Sequence, residues 1–249
     1  MRYPLIKSVT ITALIVALAG CSATKSNDVV YTGVLQTGTL ALTNVSGKIE
    51  AFPPMANSPK DRYAVSQTSR DRSLRTLLRF NQGQKLLSIC PQTCPPPADA
   101  PGADYLVRIP NDVHAQLTTA NGDIDVSDVS GPVDAAATNG NIKIQIPSFA
   151  NASTVNGNIA VTFGDANWPG ALHFSTQHGD VELYVPAIAN ARVDLHTDVG
   201  TVYDNFDLRG TSQGTAETIT GKIGSGGDRS IVVRVRTGNV RLLKLVPQM

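Results

Sequence analysis

The sequence predicts an all-β fold, a single-stranded β-solenoid of glycine-turn repeats, with an antiparallel β-meander or sandwich as the alternative. Three observations lead there. One glycine per unit recurs at Gly47, Gly122, Gly140, Gly157, Gly179, Gly200, Gly221 and Gly238, and after the first gap the spacing stays between 17 and 22 residues. Two residues after each glycine stands a β-branched aliphatic residue: Ile49, Ile124, Ile142, Ile159, Val181, Val202, Ile223 or Val240. Around the glycines, apolar and polar residues alternate with the period of two that marks a strand with one buried face, and no long 3.6-residue period competes.

Taken in chain order, residues 1–20 read as a lipoprotein signal peptide. Arg2 and Lys7 make a short basic region before an apolar run over 9–19. That run is too short for a permanent membrane helix, which needs about 20 residues, but it suits a cleavable leader. Leu18-Ala19-Gly20-Cys21 resembles the bacterial lipobox, in which the cysteine becomes the lipid-modified first residue. Cys21 is therefore the expected lipidation site, 21–30 a lipidated tether, and the membrane a partner through acyl chains that contribute about 0.8 kcal/mol per buried methylene. The expected location is the cell envelope, and Ser22 in place of an aspartate favours the outer membrane in a Gram-negative cell. Without the leader's two cations, nineteen basic residues face twenty acidic ones. That balance argues against nucleic acid as a partner.

Residues 31–249 read as the β-repeat domain. After the unit around Gly47, residues 52–104 read as an irregular insertion. Its stretch 60–85 carries Lys60, Arg62, Arg70, Arg72, Arg75, Arg79 and Lys85 against Asp61 and Asp71. Such charge suits a solvated edge that resists edge-to-edge pairing, or a patch for anionic glycan or lipid headgroups. "LLRFNQGQKLLSI" reads as a hairpin about Gln82-Gly83, with a helical face of Leu74, Leu77 and Leu78 as the competing reading. With Cys21 lipidated, Cys90 and Cys94 remain as an even pair, and an exported chain predicts a local disulfide between them. Residues 98–103, after three prolines, read as a loop.

The later units keep one phase. Seven, five and three residues before a glycine lie Leu172, Phe174 and Thr176, then Val193, Leu195 and Thr197, then Ile231, Val233 and Val235. Threonine recurs three before the glycine at Thr119, Thr154, Thr176, Thr197 and Thr218. The residues between them are mostly polar and point the other way. Strands stop at Ile146-Pro147, Val185-Pro186 and Val246-Pro247, because proline cannot donate to a ladder. Asn-Gly supplies the positive φ of a tight turn, as a hairpin loop in a meander or a corner in a solenoid. The steady period favours the solenoid, whose like positions stack about 4.8 Å apart.

"TTANGDIDVSDVSGPVDAAATNGNIKI" and "STQHGDVELYVP" resemble the bacterial putative-adhesin domain family, a domain of unknown function built from Gly-Asp-Ile/Val repeats. The resemblance spans about residues 29–245 and is strongest over 106–185. It implies a β-helix-like solenoid, exported or membrane-attached, with an adhesin-like role. The chain departs from the pattern where Asp204 fills an apolar slot and where Lys244 loses phase, as at the ends of a stack or at bulges.

No Ser/His/Asp order, zinc spacing or phosphate loop appears, and no cofactor is expected. A carbohydrate-active β-helix enzyme would need acidic groups converging in a groove. Here the acids are scattered among basic and amide neighbours, so the chain is expected not to be an enzyme. Stacking in chain order would bring His173, Asp194, His196 and Glu217 together on the polar face as candidate ligands for a divalent metal, although mixed polar rows ordinarily pair across strands. Asp123, Asp125 and Asp128 read as turn and surface residues. The expected function is a lipid-anchored envelope module presenting a binding or scaffold surface to a protein or glycan. The alternative is an envelope structural or sensing component that binds a partner protein by coil ends or sheet edges.

Overall fold

The computed structural model describes residues 12–14, 27–69, 71, 73–147 and 149–245. Cys21 and its lipobox lie outside the described residues. Among those residues there is no helix, and the strands form two sheets of eleven. Each repeat is one coil: a strand in the second sheet, a turn at the glycine, and a strand in the first sheet. Ile142–Ile146 lies parallel between Ile124–Ser127 and Ile159–Phe163, and Val133–Asn139 lies parallel between Val113–Asn121 and Ala150–Asn156. A meander would pair these strands antiparallel. The fold is the solenoid.

Register places like residues in columns. Ile49, Ile124, Ile142, Ile159, Val181, Val240 and Val202 follow one another across the first sheet. All but the last are fully buried. Facing them, Leu42, Leu117, Ala135, Ala152, Phe174, Val233 and Leu195 form a column of the second sheet. Phe174 meets Phe163 edge-on at 6.2 Å between ring centroids, and Trp168 lies 5.9 Å from Phe163, closing the core under the loop before Ala171–His178.

The turns explain why glycine repeats. At Gly157 φ is 154°, and a Cβ there would sit 2.0 Å from the carbonyl oxygen of Gly140 on the next coil. At Gly140 a Cβ would lie 1.9 Å from the Gly122 carbonyl. The turn backbones stack directly on one another. Glycine is therefore required by this close approach as well as by the turn angle that the Asn-Gly pattern suggests.

Order along the stack differs from order along the chain at both ends. The coil 38–52 comes first in sequence, yet it lies between coil 113–127 and coil 86–108. The coil 230–245 comes last, yet it lies between coil 171–186 and coil 191–204. Antiparallel strands then cap the ends. Thr76–Asn81 covers Leu86–Pro91, and Arg62–Ser69 covers Asp104–Arg108. At the other end Ala216–Ile223 covers Ala191–Val199, and Arg209–Gln213 covers Ala216–Ile223.

Several expectations change here. The stretch read as an irregular insertion, 52–104, supplies three of these strands and begins a fourth, and Gln82-Gly83 lies in the turn of a hairpin. Cys90 and Cys94 are joined by a disulfide at the end of that hairpin. Gly221 is no turn glycine: it sits inside Ala216–Ile223, opposite Val193, on an antiparallel strand. The stretch read as a tether, 21–30, overlaps a strand, because Asn27–Val34 pairs antiparallel with Arg62–Ser69. Thr12–Leu14, inside the stretch read as a leader, pairs antiparallel with the outer edge of that strand.

Asp204 accounts for the interleaving at the C-terminal end. It falls opposite Leu242 at the open edge of the first sheet, where its carboxylate accepts the amides of Phe206 and Leu208 at 2.8 and 3.1 Å and turns the chain away. In the inner position the same carboxylate would be flanked by apolar columns on both sides, at the cost of burying an unpaired charge. Coil 230–245 offers Val240 and Leu242 instead, both fully buried. Lys244 loses phase where its amide donates to Asn205 Oδ1 at 2.8 Å and its ammonium lies over the Phe206 ring.

Candidate binding surface

Two side-chain ladders hold the turns. The threonines three before the glycines point inward and donate to glycine carbonyls of the neighbouring coil: Thr154 to Gly140 at 3.1 Å, Thr176 to Gly157 at 3.0 Å, and Thr197 to Gly238 at 2.8 Å. Thr119 has no such partner; at that coil Asn44 donates to Gly47 O at 3.2 Å. Thr218 lies outside this ladder, paired across the antiparallel strand with His196. Just after the glycines, carboxylate and amide oxygens accept amides of the next coil, from Asp123 to Asn141 at 2.7 Å, Asn141 to Asn158 at 2.9 Å and Asn158 to Asp180 at 2.8 Å. Asp123 is thus a turn residue.

What these ladders leave free is the outer face of the second sheet. Ala136, Ser153 and Ser175 are direct neighbours across three coils. Their small side chains floor a shallow trough along the stack, in two adjoining depressions of about 470 and 420 Å³ that share Ser153 and Ser175. One wall is Asp134, Asn151 and His173; the other includes Val155, Gln177 and Arg236. The polar walls offer donors and acceptors at the coil spacing. The floor residues share a sequence position, although not a hydropathy signal: each stands four residues before its turn glycine.

The acids along this face are partnered. Asp134 accepts from His114 Nε2 at 2.7 Å and from Asn151 Nδ2 at 2.9 Å, and the His114 bond above all holds its carboxyl below the ordinary aspartate value. Asp194 pairs with Arg234, and Asp198 with His196 at 2.9 Å. The four candidate metal ligands are not brought together. A strand separates His173 from Asp194, His196 also bonds Thr218 at 2.8 Å, and Glu217 accepts the Val202 amide at 2.7 Å. Their expected register assumed coils in chain order, whereas Ala216–Ile223 runs antiparallel. No group of three His, Cys, Asp or Glu suited to a metal occurs among the described residues. In the basic segment, Arg62, Arg79 and Lys85 are exposed, while Arg70 and Arg72 lie outside the described residues.

Residues 109–243, more than half of the chain, match the Toastrack DUF4097 family. The chain belongs to that family. The Toastrack match begins just before coil 113–127 and ends within coil 230–245, so it takes in the interleaved C-terminal coils and leaves out the N-terminal cap. No curated protein matches the chain. Among solved structures, a putative cell adhesion protein from Clostridium sporogenes is similar in fold, with TM-score 0.51 and 10% identity over 89% of this chain and 100% of that one. A putative adhesin from Bacteroides fragilis aligns at TM-score 0.30 and 13% identity over 88% of this chain and 97% of that one. The likeness in fold to a solved structure rests on the Clostridium protein.

Proposed function

We propose that this Toastrack chain is a lipid-anchored protein of the cell envelope that performs no chemistry and presents the trough of its second sheet to an envelope or surface macromolecule, protein or glycan. The trough carries this reading: it is continuous over several coils, floored by Ala136, Ser153 and Ser175, which neither turn ladder uses, and bounded by acids already paired. A solved structure of similar fold, described as a putative cell adhesion protein, agrees with such a role. The lipobox supplies the address. Processing at Cys21 would remove Thr12–Leu14 and leave Asn27–Val34 at the sheet edge, a few residues from the acyl chains.

Two experiments separate anchor from surface. Cys21→Ser should abolish incorporation of an alkyne-palmitate label and release the protein from membranes; continued labelling contradicts the anchor. Ser175→Trp fills the trough from an outward position, so it should abolish capture of envelope fragments while leaving the melting temperature within about 2 °C, since exposed substitutions ordinarily stay within about 0.5 kcal/mol. Unchanged capture places binding elsewhere.

A further inference from the structure

The interleaved C-terminal coil makes the molecule a candidate for exchange between copies. Coil 230–245 fills a slot whose two walls, coils 171–186 and 191–204, both precede it in the chain. Without it, the slot would present unpaired edges of Ala171–His178 and Ala191–Val199 in one sheet, and of Val181–Pro186 and Val202–Asp204 in the other. Such edges are templates for an incoming strand. The coil that fills them brings Ile231, Val233, Val235, Val240 and Leu242, all at most 2% exposed. None of its strand partners lies within the coil itself. All of them belong to residues before 205.

The connection to this coil is built to turn. Gly224, Gly226 and Gly227 take φ of 57°, 88° and 63°, and the loop is held by Ser225 donating its amide and hydroxyl to Asn190 Oδ1 at 2.9 and 3.1 Å. Extending the hinge gives up those two bonds and the Gly226 amide bond to Ile223, and leaves every coil-to-coil contact available from another chain.

We propose that the C-terminal coil is an exchangeable element, and that a second copy of this chain is the partner its slot fits, giving a reciprocal dimer in which each 230–245 segment completes the other molecule. Exchange of an identical element is a low-cost route to a dimer, and a shortened hinge favours it because the segment can no longer fold back on its own chain.

Full chain carrying Cys21→Ser and lacking Ser225, Gly226 and Gly227 should double in mass by light scattering, with near-ultraviolet dichroism like that of the parent. A folded monomer overturns the proposal. If the shortened chain does not fold, a second measurement decides: full Cys21→Ser chains with and without nitrogen-15 label are unfolded in urea and refolded together at high concentration. Native mass spectrometry should show a mixed dimer that persists on dilution, and monomers alone overturn the proposal.

Discussion

The middle of the stack and its two ends are built by different rules. From 113 to 186 the coils follow one another in chain order, with parallel strands, a glycine at every turn and a threonine or alanine beneath it. At the ends, chain order and spatial order part. The first and last coils of the sequence are drawn inside, and antiparallel strands close over the coils that replace them. A solenoid whose terminal coils lay outermost would fray there, since its chain ends would be its least-packed strands. Here the outermost strands of the second sheet, Thr76–Asn81 and Arg209–Gln213, are internal segments, and the coils 38–52 and 230–245 are covered on each side. This chain supplies its caps by folding back, as repeat folds require of their terminal units.

The sharpest contrast is at glycine. Gly157→Ala puts a methyl group 2.0 Å from a stacked carbonyl, so the turn must separate from its neighbour, and unfolding free energy should fall by about 4 kcal/mol or more. Gly170, at φ 69° in the loop before a strand, has nothing within 4 Å of an added Cβ. Gly170→Ala should cost only about 1 kcal/mol of backbone strain. Urea denaturation of both variants measures the gap, and equal losses would mean that the turns are not stacked.

Next come the apolar columns. Leu183 and Leu242 are adjacent and fully buried, one in a middle coil and one in the last coil of the chain. Leu183→Ala and Leu242→Ala should each cost about 3 kcal/mol. A much smaller loss at Leu242 would put its coil at an edge.

Within the threonine ladder the effects are smaller. Thr176→Val leaves the partly buried Gly157 carbonyl without this donor and should cost about 1–2 kcal/mol. Thr119→Val, which removes a buried hydroxyl that has no partner, should be neutral or slightly stabilising. The same experiment on both isolates the hydrogen bond from the change of side chain.

These contrasts follow what the sequence could and could not express. Ile142, Ile159 and Val181 reveal their burial by parity, and the glycine-threonine spacing reveals the turns, because both are local consequences of a strand's geometry. Strand order is not local. Val193, Leu195 and Thr197 have the same alternation whether their neighbour is the coil before or the coil after, so nothing in them indicates that 230–237 lies between. Gly221 fits the interval and the phase of a turn glycine, yet parity is equally satisfied by an antiparallel strand. The segment 52–104 hides its one coil because Arg62–Ser69 and Thr76–Asn81 close an end antiparallel, and the disulfide and three prolines separate Leu86–Pro91 from Asp104–Arg108. The trough escaped notice because small residues at outward positions carry no hydropathy signal.

The smallest expected effect concerns acid. Asp134's folded pKa is depressed, chiefly by the His114 hydrogen bond with Asn151 assisting. Its stabilising contribution is therefore present above the unfolded aspartate value near pH 4 and lost as pH falls through the lower folded value. Asp134→Asn should flatten the acid limb of a plot of denaturation midpoint against pH, modestly because the pair is partly exposed. An unchanged limb would remove the pair from the account of this face.

Amide hydrogen exchange tests the interleaving most directly. If coil 230–245 lies inside the stack, the amides of Ile231, Val233 and Val235 exchange as slowly as those of Ala152 and Phe174, while Arg209–Gln213 exchanges fast. Rapid exchange across 230–237, with slow exchange across 209–213, would place the last coil at the edge and contradict the architecture described.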